Sequence, residues 1–124
     1  MKRLLVLAAI IALCTGGSEA HTAACTITGT DGPDILLGTP GHDVICALGG
    51  DDQVAGLNGD DVLLGGAGND TIEGGAGHDT MLGGPGNDSF RSYDATRDVL
   101  DGGPGRDYAW TDHLDKVRSV ERLG

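Results

Sequence analysis

Between Gly29 and Arg91 an apolar residue returns at every ninth position, as Leu36, Ile45, Val54, Leu63, Ile72, Met81 and Phe90. The frame divides the segment into seven units: GTDGPDILL, GTPGHDVIC, ALGGDDQVA, GLNGDDVLL, GGAGNDTIE, GGAGHDTML and GGPGNDSFR. Position four is always glycine, position six always aspartate, and position eight carries the recurring apolar side chain. This spacing matches neither the helical period of about 3.6 residues nor a sustained strand alternation. Helix is further disfavoured because each glycine costs about 1 kcal/mol against alanine. Each unit instead predicts a tight turn, with glycines at positions one, two and four free to take positive φ, followed by a short strand. The middle side chain of that strand points one way and its flanks the other. One inward residue per unit cannot make a core, whereas stacked units can. If the chain reverses after every unit, units n and n+2 lie side by side. The expected fold is all-β, a two-sheet parallel solenoid, with Asp34, Asp52, Asp70 and Asp88 on one edge and Asp43, Asp61 and Asp79 on the other.

The period slips after Arg91. The next aspartates in phase are Asp98, Asp107 and Asp115, at intervals of ten, nine and eight residues, so one residue is gained and later lost. The repeats are therefore expected over 29–110, with 92–101 a degenerate coil and 102–110 (GGPGRDYAW) a last good turn. Residues 21–28 read as an N-terminal cap. Residues 111–124 read as a C-terminal cap, in which Val117, Val120 and Leu123 supply apolar contacts. Residues 1–20 have the form of an export signal: Lys2 and Arg3, an apolar run from Leu4 to Leu13, then Ser18-Glu19-Ala20. The run is too short for a hydrocarbon layer of about 30 Å, so a secreted, extracellular chain without a membrane span is expected.

Composition narrows the chemistry. Glycine accounts for 23 of 124 residues and aromatics for 3%, too few to seed an ordinary globular core. The formal net charge is -11, and residues 21–90 hold eleven acidic side chains without one lysine or arginine. That balance, with no basic stripe, argues against nucleic acid as a partner. Carboxylates stacked on one edge at the strand spacing of about 4.8 Å would repel one another unless a cation sits between them. Calcium suits such a place: it takes about six to eight oxygens, mixing carboxylates with backbone carbonyls in flexible geometry. Magnesium demands a tighter octahedron, and zinc prefers imidazole or thiolate.

The units GGAGNDTIE, GGAGHDTML and GGPGNDSFR closely resemble the nonapeptide GGxGxDxUx of the repeats-in-toxin (RTX), or haemolysin-type, calcium-binding family. The resemblance covers 29–91 well and 92–118 loosely. It implies a right-handed parallel β-roll in which the position-six aspartates and turn carbonyls of neighbouring coils hold Ca2+. Carried over residue by residue, the metal-binding positions are Asp34, Asp43, Asp52, Asp61, Asp70, Asp79, Asp88 and Asp107. Asp98 has the carboxylate without the glycines. Ions bridging units n and n+2 would occupy five full sites: Asp34/Asp52, Asp52/Asp70, Asp70/Asp88, Asp43/Asp61 and Asp61/Asp79.

The family's large toxins, lipases and proteases carry a catalytic domain ahead of the repeats. Here there is neither an HExxH pair nor a GxSxG elbow, and no enzymatic activity is expected. His21, His42, His78 and His113 are scattered, and His42 and His78 occupy the variable position five, where solvent-facing turn residues are expected. Trp110 and Tyr108 are expected to pack in the cap, with a sugar-binding platform as the other reading. In an oxidising compartment Cys25 and Cys46 would pair. In a straight strand, however, they stand three residues out of register, about 10 Å apart, so the bridge requires a bend. The function expected is a secreted, non-catalytic calcium-binding β-roll that folds on calcium outside the cell. The alternative is a calcium-stiffened extracellular adhesion or carbohydrate-binding accessory protein, whose surface partner is not specified by the sequence.

Overall fold

The computed structural model describes residues 24–123; the expected export signal, Cys14 and His21 lie outside the described residues. Every regular element among them is a strand: β1 (Ile27–Thr28), β2 (Ile35–Leu37), β3 (Val44–Cys46), β4 (Gln53–Asn58), β5 (Val62–Leu64), β6 (Thr71–Ala76), β7 (Thr80–Leu82), β8 (Ser89–Ser92), β9 (Val99–Asp101), β10 (Tyr108–Thr111), β11 (Lys116–Arg118) and β12 (Arg122–Leu123). No helix among the described residues is long and apolar enough to cross a membrane.

Alternate strands build two six-stranded sheets, in the orders β1-β3-β5-β7-β9-β11 and β12-β10-β8-β6-β4-β2. All pairings are parallel and keep the repeat in register: Ile45, Leu63, Met81, Leu100 and Val117 align in one sheet, and Leu36, Val54, Ile72, Phe90 and Ala109 in the other. The chain is thus the parallel β-roll expected from its period. Position-eight side chains from both sheets fill one core, in which Ile45, Leu63, Ile72, Met81, Phe90 and Leu100 are fully buried. Val117 and Val120 pack against it from the C-terminal end, while Leu36 at the other end is only partly buried.

The slips in period fall in turns. Val99 still pairs with Thr80, and Tyr108 with Ser89, so the additional residue is accommodated before Asp98. Lys116 pairs with Val99, which places the deletion between Thr111 and Asp115. A turn can change length without disturbing side-chain alternation, whereas a shift inside a strand would turn its apolar residue outward.

At the N-terminal end a disulfide joins Cys25 to Cys46, with their Cα atoms 5.8 Å apart. Ile27 and Thr28 pair with Ile45 and Cys46, so a straight extension would set Cys25 opposite Asp43. The chain instead leaves the strand line at Thr26, whose hydroxyl accepts the Val44 N–H at 2.9 Å. One buried residue per unit was expected, yet all three residues of β3 are buried. Val44 and Cys46 pack with Cys25 in a second small cluster on the outer face.

Candidate metal centre

The position-six aspartates are brought into two buried columns at the sheet edges. Asp43, Asp52, Asp61, Asp70, Asp79, Asp88, Asp98 and Asp107 are all 4% exposed or less, and Asp34 is half-buried. In each column the carboxylate accepts the backbone N–H of the aspartate one coil earlier. Asp34 N–H donates to Asp52 Oδ1 at 2.7 Å, Asp52 to Asp70 at 2.9 Å, Asp70 to Asp88 at 2.8 Å and Asp88 to Asp107 at 2.8 Å. On the other edge Asp43 donates to Asp61, Asp61 to Asp79, and Asp79 to Asp98, each at 2.8 Å, and Asp98 to Asp115 at 3.0 Å.

Only one oxygen of each carboxylate is used in this way. The Oδ2 atoms of Asp52, Asp61, Asp70, Asp79, Asp88 and Asp107 are buried without a hydrogen-bond partner. Leaving a buried carboxylate oxygen unsatisfied is costly, and such orphans call for an ion or a proton. Burial, partly countered by the accepted N–H groups, pushes the carboxyls of Asp79 and Asp88 up to about 7 and that of Asp70 up to about 6. Burial likewise raises Asp52, Asp61, Asp98 and Asp107.

The glycines around these oxygens do two different jobs. At position one the requirement is space, not the positive φ expected from the sequence. A Cβ at Gly65 would lie 2.6 Å from Asp70 Oδ2 and 2.8 Å from the carbonyl oxygen of Gly83 in the next coil. Carboxylate and carbonyl oxygens thus converge on one narrow place. Positive φ belongs to positions two and four, as at Gly66 (87°) and Gly68 (119°). The six units with an orphaned oxygen all share it at both positions. In the units of Asp52 and Asp61 the position-two residues are Leu48 (78°) and Leu57 (81°), a conformation that costs a side chain about 1 to 2 kcal/mol.

Asp34 and Asp43 differ. The Thr30 N–H and hydroxyl donate to Asp34 Oδ2 at 2.6 and 2.9 Å, and Thr39 treats Asp43 Oδ2 identically, at 2.6 and 2.9 Å. Asp98 Oδ2 accepts the Ser92 hydroxyl. Two ladder members lay outside the sequence expectation. Asp115 was noted only for its phase, and Glu121 Oε2 accepts the Asp107 N–H at 2.7 Å from a separation of fourteen residues, which no repeat spacing marks.

Position five is also less variable in chemistry than it looked. Asp51 Oδ1 accepts the Asn69 N–H, Asn69 Oδ1 the Asn87 N–H, each at 2.8 Å, and Asn87 Oδ1 the Arg106 N–H at 2.9 Å. Asp60 Oδ1 similarly accepts the His78 N–H at 2.9 Å. His42 and His78 are exposed, as expected, but also meet the main chain of the next coil through Nδ1. This outer ladder runs opposite to the aspartate ladder. Asp/Asn recurrence at position five was its available signal.

The donor set fits a hard divalent cation. It offers carboxylate and carbonyl oxygens, while no three carboxylate, imidazole or thiolate side chains converge among the described residues. Nor do the described residues neutralise the columns themselves. Among the described residues the one ion pair is Arg91–Glu73, at 3.9 Å on the exposed face. Trp110 and Tyr108, expected in the cap, instead point outward from β10, 43% and 41% exposed.

No curated protein matches the chain. The RTX calcium-binding nonapeptide repeat matches residues 26–54, 55–90 and 94–112. With most of its length covered by that match, and with buried aspartate columns repeating at the same period, the chain belongs to the RTX calcium-binding nonapeptide repeat family.

Proposed function

We propose that the protein is a secreted, non-catalytic β-roll whose folding is coupled to calcium outside the cell. The observation that carries this reading is the set of six buried, unpartnered Oδ2 atoms on Asp52, Asp61, Asp70, Asp79, Asp88 and Asp107. Bound calcium would supply the positive charge that these carboxylates lack. The chain's own part is to hold the donors: Oδ1 is fixed by the neighbouring N–H, and in every one of these units but that of Asp52, where Ala47 stands at position one, Oδ2 is aimed at the space kept open by the position-one glycine. Without the cation, each coil would have to bury charge or take up protons. The test is circular dichroism and native mass spectrometry of the purified chain during a calcium titration. Strand signal and bound ions are expected to rise together; strand content in excess chelator, unchanged by calcium, would refute the coupling.

A second reading, a carbohydrate-binding accessory protein, is favoured by one feature. Trp110, Tyr93, Arg91, Glu73 and Asp94 line an open groove of about 580 Å³. Aromatic faces beside a carboxylate and a guanidinium suit a neutral pyranose, which stacks on the ring and hydrogen-bonds through its hydroxyls. Because Trp110 is the sole tryptophan, its fluorescence reports on this groove alone. Saturable quenching by an oligosaccharide, lost in Tyr93→Ala with calcium binding retained, would support it. Unchanged emission across a panel of neutral, acidic and amino sugars would exclude it.

A further inference from the structure

We infer that the hydroxyls of Thr30, Thr39 and Ser92 decide which turns of the ladder take metal. The inference deepens the calcium reading and rests on it. Turns divide into two states by two independent criteria, one of backbone and one of side chain. Where positions two and four both have positive φ, the aspartate Oδ2 has no partner: this holds for Asp52, Asp61, Asp70, Asp79, Asp88 and Asp107. Where threonine stands at position two, neither Thr30 and Gly32 nor Thr39 and Gly41 has positive φ, and Oδ2 accepts two hydrogen bonds from the threonine.

The degenerate turn reaches the same end by another route. Ser92 replaces the position-one glycine, and its hydroxyl lies against Oδ2 of both Asp98 and Asp115. A hydroxyl has one proton to donate, and Asp115 Oδ2 also accepts the Asp112 N–H at 3.1 Å. One donor therefore remains for each of these two Oδ2 atoms. Ser92 is 1% exposed, so its side chain fills the place that glycine leaves open in the regular turns.

A donor hydrogen and a cation cannot occupy the same face of one carboxylate oxygen. The hydroxyl meets the need that the metal would meet and removes the vacancy. Asp34 and Asp43 then keep their ladder role, donating N–H to Asp52 and Asp61, without carrying an ion. The metal-bearing turns are those of Asp52, Asp70, Asp88 and Asp107 on one edge and Asp61 and Asp79 on the other. Thr39 is the sharpest case, because Thr39→Gly gives the unit GGPGHDVIC, differing from the open unit GGPGNDSFR only at position five and in the strand.

Calcium stoichiometry of the full chain, measured by native mass spectrometry and calorimetry, tests this in wild type, Thr39→Gly and Ser92→Gly. Each variant is expected to bind one more ion than wild type. Unchanged stoichiometry in both glycine variants would overturn the inference while leaving the calcium reading intact. A wild-type chain that binds no calcium would instead overturn the reading on which it rests. Should Thr39→Gly fail to fold, Ser92→Gly, in a different coil of the roll, decides the point alone.

Discussion

Asp70 and Asp88 are joined twice: the Asp70 N–H donates to Asp88 Oδ1, and the Asp70 carbonyl accepts the Ser89 N–H directly after Asp88, both at 2.8 Å. The first bond consumes one carboxylate oxygen and leaves the other buried and free. One repeated residue thereby holds two coils in register and presents a metal donor. The two roles can be separated by substitution.

Asp70→Asn keeps an acceptor for the Asp52 N–H but loses the charge, whereas Asp70→Ala loses both. The asparagine variant is expected to lose up to two ions per chain yet still form the roll at high calcium. The alanine variant is expected to be destabilised by a further 1 to 3 kcal/mol or so, for the unsatisfied buried N–H. Native mass spectrometry and urea unfolding in saturating calcium distinguish them; equal stability would show that the ladder bond contributes nothing.

Calcium affinity should depend on pH. Burial raises Asp79 and Asp88 to about 7 and Asp70 to about 6, against 3.8 for the ordinary group. Between those values the metal-free folded chain binds more protons than the unfolded one. Its stability is therefore greatest at low pH and is lost as pH rises from about 4 to about 7. Calcium must displace the same protons, so half-saturating calcium is expected to fall as pH rises from about 6 to about 8. Calorimetry at about pH 6.5 in buffers of differing ionisation enthalpy should register proton release. A midpoint constant over that range would contradict these carboxyls as ligands.

Gly65→Ala places a methyl 2.6 Å from Asp70 Oδ2 and 2.8 Å from the Gly83 carbonyl oxygen. Since the latter is backbone, the coil has to shift, at a cost on the order of 1 to 3 kcal/mol. Loss of one ion with a lower melting temperature in calcium is expected. Wild-type behaviour would mean that the position-one glycine is not required for space.

The Cys25–Cys46 bridge closes a loop with a sequence separation of 21, worth about 3 kcal/mol in the chain-entropy account. Cys46→Ser, or reduction, should lower the melting temperature in calcium by at least several degrees. Ion counts should not change, because neither cysteine contributes to the aspartate columns. Alkylation of the unreduced protein should find no free thiol at Cys25 or Cys46; labelling of both would rule the bridge out.

Much of this protein follows from a period of nine. Leu63, Ile72, Met81 and Phe90 had to be the core, because only position eight stays apolar in every unit, and the edges carrying Asp61 and Asp70 followed from reversing the chain after each unit. Local pattern suffices there because a strand's inward face is set by counting residues. Which carboxylate oxygens remain free was decided by contacts between coils. Asp43 and Asp61 look alike in the sequence, yet Thr39 closes one and an open turn leaves the other unpartnered. Glu121 ends a ladder from outside any repeat, and Ser92 fills a glycine's place. Trp110 faces outward because position nine flanks the inward Ala109. Sequence spacing fixes a backbone's period, but the partners of a side-chain oxygen depend on which donors folding brings within about 3 Å of it, and those come from other coils and from the conformation of each turn.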